Sequence, residues 1–181
     1  MFKLIGLAGR AGSGKNALAD YISATGDYRQ DAFAAPIKKG LAQILGISIG
    51  RLEELKNSGA IDATLAKSYR EMMQTLGTEW GRNIVNSDIW TLLARGRILA
   101  NNPVVTIMTD VRFDNEADLV HQMGGVIVYI DRPIAMCRQV EKHVSENSLS
   151  KKNIDYTIYN NTNNLRDLQA SWDNLTYLLY K

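Results

Sequence analysis

The chain has 181 residues, 45% of them hydrophobic and 22% charged, which is typical of one soluble globular domain. Its 21 basic and 19 acidic side chains leave a net charge of +2, too small to favour nonspecific binding to nucleic acid or to an anionic membrane. The single cysteine, Cys137, excludes an internal disulfide, and no apolar run has the length of a signal peptide or a membrane span, so we expect a cytoplasmic protein.

Strand and helix patterns alternate along the N-terminal part of the chain. Residues 2–8 form an apolar run that predicts a buried strand, and residues 15–24 have the apolar spacing of a helix. A short second strand is expected around 31–34, followed by a helix over 37–45. From about 48 to 100 the apolar residues recur at helical intervals, so this stretch is predicted to be all helical.

The alternation resumes in the C-terminal part. The predicted elements are, in order, a strand over 104–110, a helix over 116–123, a strand over 126–130, a helix beginning at Pro133, a strand over 156–159 and a helix over 165–180. Such alternation favours a parallel sheet of about five strands with helices on both faces, which is a three-layer α/β fold. We therefore predict one domain over 1–181, in which about 36–100 is a helical substrate-binding lobe.

The segment Gly9-Arg-Ala-Gly-Ser-Gly-Lys15-Asn16 carries the strongest functional signal. It fits the phosphate-loop pattern G-x-x-x-x-G-K and lies between a predicted strand and a predicted helix, as the P-loop NTPase fold requires. Glycines let successive N–H groups point at a phosphate chain, and the positive end of the helix adds to this attraction. The expected ATP contacts here are Gly9, Ala11, Gly12, Ser13, Gly14, Lys15, Asn16 and Ala17. The alternative is a glycine-rich turn without a ligand.

Two oxygen-bearing side chains are candidates for Mg²⁺. Asn16 stands where the pattern expects Ser or Thr, and an amide oxygen can replace the hydroxyl as a ligand, directly or through water. Asp110 ends the predicted third strand of the sheet, where ligands of open α/β sheets bind. The alternatives are that Asn16 caps the helix or faces away, and that Asp110 is itself a cap or turn residue.

Several further segments resemble one known family. They are Phe33-Ala-Ala-Pro-Ile-Lys38, Arg70 with Gln74-Thr-Leu-Gly-Thr-Glu-Trp-Gly-Arg82, Thr109-Asp-Val-Arg-Phe-Asp-Asn-Glu116, His143-Val-Ser-Glu146 and Asp155-Tyr-Thr-Ile-Tyr-Asn160. With the phosphate loop, they make most of the chain resemble the bacteriophage deoxynucleoside monophosphate kinases, a branch of the P-loop nucleoside monophosphate kinases. The second and third of these segments are far more specific than the loop, which many NTPases share.

The resemblance implies a role for each matching residue. It places ATP phosphates and Mg²⁺ on the loop, and it makes Lys15, Arg112, Arg132 and Arg138 the catalytic cations. It implies acceptor-phosphate contacts from Lys38, Arg70, Arg82 and Arg112, and contacts to base or sugar from Gln74 and Trp80. It places Asn160 near the adenine of ATP, and a lid at about 132–153. The alternatives are solvated surface charges for the arginines, a core or interface role for Trp80, and a helix cap for Gln74.

The expected reaction is transfer of the γ-phosphate of ATP to a deoxynucleoside monophosphate. A converging set of arginines suits this chemistry, which needs positioning and positive charge more than covalent help. The expected partners are these nucleotides and, as an open alternative, a second copy of the chain, but no nucleic acid or membrane. Two other functions fit the loop: a kinase of dephospho-coenzyme A or of a modified nucleotide, and a nucleotide-dependent switch or DNA-associated module.

Overall fold

The computed structural model describes residues 4–100, 104–133, 149–162 and 164–179. The chain divides into two compact units, the first made of Met1–Ala32 and Arg95–Lys181, and the second of Phe33–Ala94. None of the described helices is long and apolar enough to cross a lipid bilayer.

Strands and helices alternate as the sequence predicts. In chain order the strands are β1 (Leu4–Ala8), β2 (Tyr28–Asp31), β3 (Ile61–Asp62), β4 (Lys67–Ser68), β5 (Val105–Val111), β6 (Val126–Asp131) and β7 (Tyr156–Tyr159). The α-helices are α1 (Lys15–Ala24), α2 (Ala35–Ile44), α3 (Ile49–Ser58), α4 (Tyr69–Gln74), α5 (Ile89–Ala100), α6 (Asp114–Gln122) and α7 (Leu165–Leu179). A π-helical segment, Thr75–Val85, continues α4, and a 3-10 turn, Lys151–Asn153, precedes β7.

The first unit is built on a five-stranded sheet of order β2-β5-β1-β6-β7, in which every pair of neighbours is parallel. This confirms the predicted parallel sheet. The order puts β1 at the centre, with β5 and β6 on either side. The loops that follow these three strands therefore meet at one edge of the sheet, which is where such folds bind ligands.

Helices cover the two faces of this sheet and make it a three-layer structure. On one face, Ile5 and Leu7 of β1 share a buried core with Leu18 and Ile22 of α1 and with Trp172 of α7. The opposite face carries α6. A Cβ built on Gly6 would lie 3.4 Å from Val120 of α6 and 2.5 Å from Ile127 of β6, so only glycine fits there without a shift of its neighbours.

The second strand differs from the prediction. It spans Tyr28–Asp31, where 31–34 was expected, and it pairs with β5 at the edge of the sheet. Its residues Arg29 and Gln30 are exposed. An edge strand whose polar residues face solvent lacks the apolar pattern that predicts a buried strand. The prediction was therefore placed on the more apolar residues that follow.

The stretch from 48 to 100 is not all helical, as it was predicted to be. Two-residue strands, β3 and β4, form an antiparallel hairpin between α3 and α4. The carboxylate of Asp62 accepts hydrogen bonds from the N–H groups of Thr64 and Leu65, at 3.0 and 2.9 Å, and so fixes the turn. Strands this short cannot show a period of two, so the helical spacing on either side concealed them.

The π-helical segment of the second unit owes its packing to two glycines. The indole of Trp90 is buried and donates a hydrogen bond of 2.7 Å from Nε1 to the carbonyl oxygen of Gly77. A Cβ on Gly81 would overlap the Cζ2 atom of the same indole, and a Cβ on Gly77 would lie 2.9 Å from Ile37. At Gly81 the backbone of the segment therefore packs directly against the indole ring of Trp90. Packing thus requires part of the specific sequence 74–82.

Gly81→Ala is expected to destabilise the protein by about 1–3 kcal/mol, because a rigid ring cannot move aside for the added methyl group. This exceeds the gain of about 1 kcal/mol that alanine has over glycine within a helix. Chemical denaturation measures the effect. Gly96→Ala on α5 is the control, since an added Cβ there meets no described atom within 4 Å, and it should stabilise slightly. A Gly81→Ala protein as stable as the wild type would contradict this packing.

Candidate phosphate-binding sites

The loop between β1 and α1 has the backbone shape of a phosphate cradle. The φ angles of the loop glycines are 138° at Gly9, 80° at Gly12 and 108° at Gly14, values that residues other than glycine rarely adopt. At Gly9 a Cβ would also lie 2.6 Å from the carbonyl oxygen of Ile130, so the loop passes directly over the end of β6. The pattern glycines are therefore required by this backbone path.

Lys15, the first residue of α1, lies inside this loop. Its Nζ donates hydrogen bonds to the carbonyl oxygens of Gly9, at 2.7 Å, and of Arg10, at 2.8 Å. These bonds hold the ammonium group over the glycines that would surround a phosphate chain. Among the described residues no side chain caps the N-terminus of α1, so its first N–H groups are available to an anion as well.

Two side chains hold the loop from outside. Asn160 is buried, and its side-chain Nδ2 donates a hydrogen bond of 2.8 Å to the carbonyl oxygen of Ser13. Its backbone N–H donates 2.7 Å to the carbonyl oxygen of Asp131, at the end of β6. Arg132 donates 2.8 Å from Nη1 to the carbonyl oxygen of Gly12. Consecutive loop carbonyls are thus fixed by residues that follow β6 and β7.

The Asn160 contact also fixes an N–H group. A trans peptide is planar, and its C=O and N–H bonds point in opposite directions. The carbonyl of Ser13 and the N–H of Gly14 belong to one peptide, so binding the carbonyl to Asn160 turns this N–H away from Asn160. The family resemblance implied that Asn160 lies near adenine, which stays a prediction; in the structure its side chain binds the loop.

The candidate magnesium ligands lie near the loop in the first unit. Asn16 is exposed on the first turn of α1. Asp110 immediately precedes Val111, which pairs with Ala8 at the end of β1. No group of three or more His, Cys, Asp or Glu side chains able to hold a metal occurs in the described part of the chain. Asn16 and Asp110 offer an amide oxygen and a carboxylate oxygen, and Mg²⁺ is commonly bound by one or two protein oxygens together with phosphates and water. Their role as ligands stays a prediction.

Arg112, two residues after Asp110, is held in place by a hydrogen bond to its backbone N–H group. The buried carboxylate of Glu116 accepts hydrogen bonds from the N–H groups of Arg112, at 2.8 Å, and of Phe113, at 3.1 Å. Glu116 thus caps the N-terminus of α6. The cap sets the direction in which the chain leaves β5 at Arg112.

Asp114 has a different function, which is to anchor the chain before β7. Its carboxylate accepts hydrogen bonds from the N–H and hydroxyl groups of Ser150, at 2.8 and 2.6 Å, and from the amide of Asn153, at 2.9 Å. These hydrogen bonds hold the pKa of Asp114 below its ordinary value, the largest contribution coming from the Ser150 hydroxyl. The segment 149–153 is thereby fastened to the start of α6.

Asp114→Asn is expected to lower the melting temperature at neutral pH but not in acid. A carboxyl group whose pKa is lower in the folded chain stabilises it above about pH 4, its unfolded value, and this stabilisation disappears as the pH falls through the folded value. Melting temperatures of both proteins between pH 7 and about pH 3 measure this. Asp118→Asn, an exposed change on the same helix, is the control. A difference that stays constant with pH would contradict the anchor.

The second unit gathers positive charge around one carboxylate. Glu53 of α3 lies 2.9 Å from the Nζ of Lys38 on α2 and also pairs with Lys56 one turn further along α3. The charge of Arg70, on α4, also acts on Lys56. The family resemblance implied that Lys38 and Arg70 bind phosphate, which stays a prediction; the structure places Glu53 and Lys56, which no motif had marked, beside Lys38. Their spacing on α3 was the only available signal.

The other predicted acceptor residues lie on or beside the π-helical segment. Trp80 is 46% exposed, which contradicts the alternative of a core position; the buried indole is that of Trp90. Arg82 donates 3.1 Å to the carbonyl oxygen of Ser87. Gln74 is half-buried as the last residue of α4. Their proposed contacts to the acceptor stay predictions. Arg138 lies outside the described residues, as do residues 134–148 of the lid predicted at about 132–153.

Comparison with known proteins agrees with this geometry. The parallel sheet with a phosphate loop after its central strand defines a three-layer P-loop fold. Shikimate kinase from Acinetobacter baumannii has a similar fold, with a TM-score of 0.52 over 99% of this chain and 94% of that one, at 12% identity. This likeness concerns the fold alone.

Sequence relatives identify the family. Residues 46–171 match the family model described as deoxynucleotide monophosphate kinase. A protein of Acanthamoeba polyphaga mimivirus, assigned as a deoxynucleotide monophosphate kinase, is 32% identical over 87% of this chain and 88% of its own length. The deoxynucleoside-5'-monophosphate kinase of Escherichia phage T5 is 30% identical over 56% of this chain and 43% of the phage enzyme. The chain belongs to the deoxynucleotide monophosphate kinase family.

Proposed function

We propose that this protein transfers the γ-phosphate of ATP to a deoxynucleoside 5'-monophosphate, giving the diphosphate and ADP. The observation that supports the proposal is the phosphate loop, in which Lys15 bonds to Gly9 and Asn160 bonds to Ser13, in a chain of the deoxynucleotide monophosphate kinase family. The mimivirus relative, which aligns over most of both chains, supports the same activity. The proposed place of action is the cytoplasm, of the host if the source is a virus.

The chemistry requires one bond to form and one to break. An oxygen of the acceptor phosphate attacks the γ-phosphorus, and the bond from that phosphorus to the β,γ-bridging oxygen of ATP breaks. The acceptor phosphate is already anionic, so no general base is needed. The protein has to hold two nucleotides in line and to neutralise the charge on the transferring oxygens. Lys15 and the loop N–H groups would hold the phosphates of ATP and neutralise their charge.

The remaining predicted roles belong to the same proposal. Mg²⁺ would be held on the ATP phosphates by Asn16 and Asp110, and it would withdraw charge from the transferring oxygens. The acceptor phosphate would be bound by Lys38, Arg70, Arg82 and Arg112, and its base or sugar by Gln74 and Trp80. Arg132 and Arg138 would act on the transferring group. Planar guanidinium groups match phosphate oxygens in pairs, which supports arginine in these positions.

An acceptor screen tests the proposal. ADP release from ATP and Mg²⁺ is measured alone and with each common deoxynucleoside and ribonucleoside monophosphate, and the products are identified. We expect turnover well above the acceptor-free rate with at least one deoxynucleoside monophosphate, which becomes a diphosphate. Slow ADP release that no acceptor increases would indicate a nucleotide-dependent switch. Turnover with dephospho-coenzyme A in place of all monophosphates would indicate a different small-molecule kinase.

A further inference from the structure

The second unit carries a group of charged side chains on the packed helices α2, α3 and α4, in which the charge of Arg70 acts on Lys56. Lys38, Glu53, Lys56 and Arg70 form what we call the α2–α4 basic cluster. Both lysines are bonded to the Glu53 carboxylate, Lys38 at 2.9 Å. The helices that carry the cluster enclose an apolar core that includes Leu41, Leu52 and Tyr69, so its members are held on a packed base.

The α2–α4 basic cluster differs from the surface ion pairs of the same unit. The side chains of Lys38, Glu53 and Lys56 are 31%, 28% and 18% exposed, whereas those of the pair Lys67–Glu71 are 58% and 47% exposed. An exposed pair is well screened by water and contributes little. Charges that are half-buried interact more strongly, with one another and with any anion that reaches them.

Positive charge exceeds negative charge in this cluster. Burial lowers the pKa of Lys56; the bond to Glu53 opposes this, and the charges of Lys38 and Arg70 lower the pKa further. Burial alone would raise the pKa of Glu53, but the hydrogen bonds from Lys56 and Lys38 outweigh it and leave this pKa below its ordinary value. Lys38 and Lys56 thus share the Glu53 carboxylate, and the charge of Arg70 acts on Lys56 without a bond to that carboxylate in the structure. Three positive charges and one negative charge leave the cluster with two positive charges uncompensated.

We propose that the α2–α4 basic cluster is a binding site for a phosphate monoester dianion, in which Lys56 is a direct ligand and Glu53 is an internal counter-ion that the phosphate displaces. A phosphate monoester carries a charge of about −1.5 to −2 at neutral pH, which matches the excess of the cluster. Identifying the ligand as the acceptor monophosphate rests on the proposed function; the phosphate site itself does not.

Lys56 and Glu53 are expected to have opposite effects on phosphate binding. Lys56 attracts the phosphate, so its loss weakens binding. Glu53 holds Lys38 and Lys56 when phosphate is absent and repels the incoming dianion, so neutralising it strengthens binding. A cluster that only stabilised the packing of α2 on α3 would behave differently: either change would lower the melting temperature, and neither would raise affinity for phosphate.

Calorimetric titration without ATP tests Lys56. The probes are inorganic phosphate and the 5'-monophosphates of deoxyadenosine, deoxycytidine, deoxyguanosine and thymidine, each added to the full chain. Lys56→Met keeps the apolar stem and is expected to raise the Kd about tenfold or more, the effect of losing one charge-assisted hydrogen bond. Lys56→Arg should stay near the wild type. Lys67→Met, which breaks the exposed pair with Glu71, should leave the Kd unchanged.

The same titration of Glu53→Gln gives the sharper outcome. We expect its Kd for phosphate to fall several-fold, together with a lower melting temperature in the absence of ligand. An unchanged or higher Kd would overturn the counter-ion role, and a Lys56→Met protein that binds like the wild type would overturn the site. If no acceptor supports ADP release while the wild type still binds inorganic phosphate through Lys56, the proposed function fails and this site stands.

Discussion

Lys15→Met is expected to reduce kcat roughly a thousandfold while the protein remains folded. Preorganised charge at a transferring group is worth factors of about 10²–10³ in rate, and a cation on the γ-phosphoryl group stabilises the charge that develops there. The ammonium group is already held at the loop by the carbonyl oxygens of Gly9 and Arg10, so little rearrangement is needed to meet a nucleotide. Methionine keeps the length of the side chain but removes its charge.

The measurement is ADP release at saturating ATP and acceptor, with a thermal melt to verify folding. Lys67→Met removes a lysine of the second unit, exposed and paired with Glu71, and should leave kcat unchanged. A folded Lys15→Met protein with near-normal turnover would show that the loop does not act on the transferring phosphoryl group.

Asn160→Asp is expected to raise the KM for ATP about ten- to a hundredfold with much less effect on the KM for the acceptor. The substitution removes the donor that binds the carbonyl of Ser13 and places a negative oxygen against it. Loss of a buried hydrogen bond that leaves a group unsatisfied costs about 1–3 kcal/mol. Because that carbonyl shares its peptide with the N–H of Gly14, the cost appears where the ATP phosphates bind.

Asn161→Asp is a matched control for this change. It introduces the same charge at the next residue, which is exposed, so it separates the lost hydrogen bond from a general electrostatic effect on ATP. Steady-state kinetics with each substrate varied in turn gives both KM values. Equal increases in the two KM values, or equal effects of the two variants, would show that Asn160 does not act through the loop.

The sequence predicted the parts of this fold that carry strong local signals. Helix α1 spans Lys15–Ala24 as expected, because a phosphate-loop pattern fixes where the helix begins. The parallel sheet follows from alternating strands and helices and is confirmed. The edge strand β2 was misplaced because its residues are polar, and the hairpin β3–β4 was missed because two residues per strand show no periodicity.

The contacts between distant residues could not be predicted in the same way. Asn160 was noticed through family resemblance, but its bond to Ser13 depends on how β7 lies in the sheet, and no local pattern encodes that. Glu53 and Lys56 look like an ordinary pair on an exposed helix face. Only the packing of α2 against α3 brings Lys38 to the Glu53 carboxylate, so that the pair becomes part of a cluster of charges.

The order of strands in the sheet has a consequence for how the chain folds as it is synthesised. Leu4 of the central strand pairs with Thr106, and Ile5 pairs with Val126, so β1 has no neighbour until most of the chain has left the ribosome. Phe33–Ala94, by contrast, is one continuous stretch of chain that forms a compact unit. Contacts between residues close in sequence form faster, because less chain entropy is lost in closing short loops. The helical unit therefore assembles early, and both hydrogen-bonding edges of β1 stay unpaired until β5 and β6 arrive.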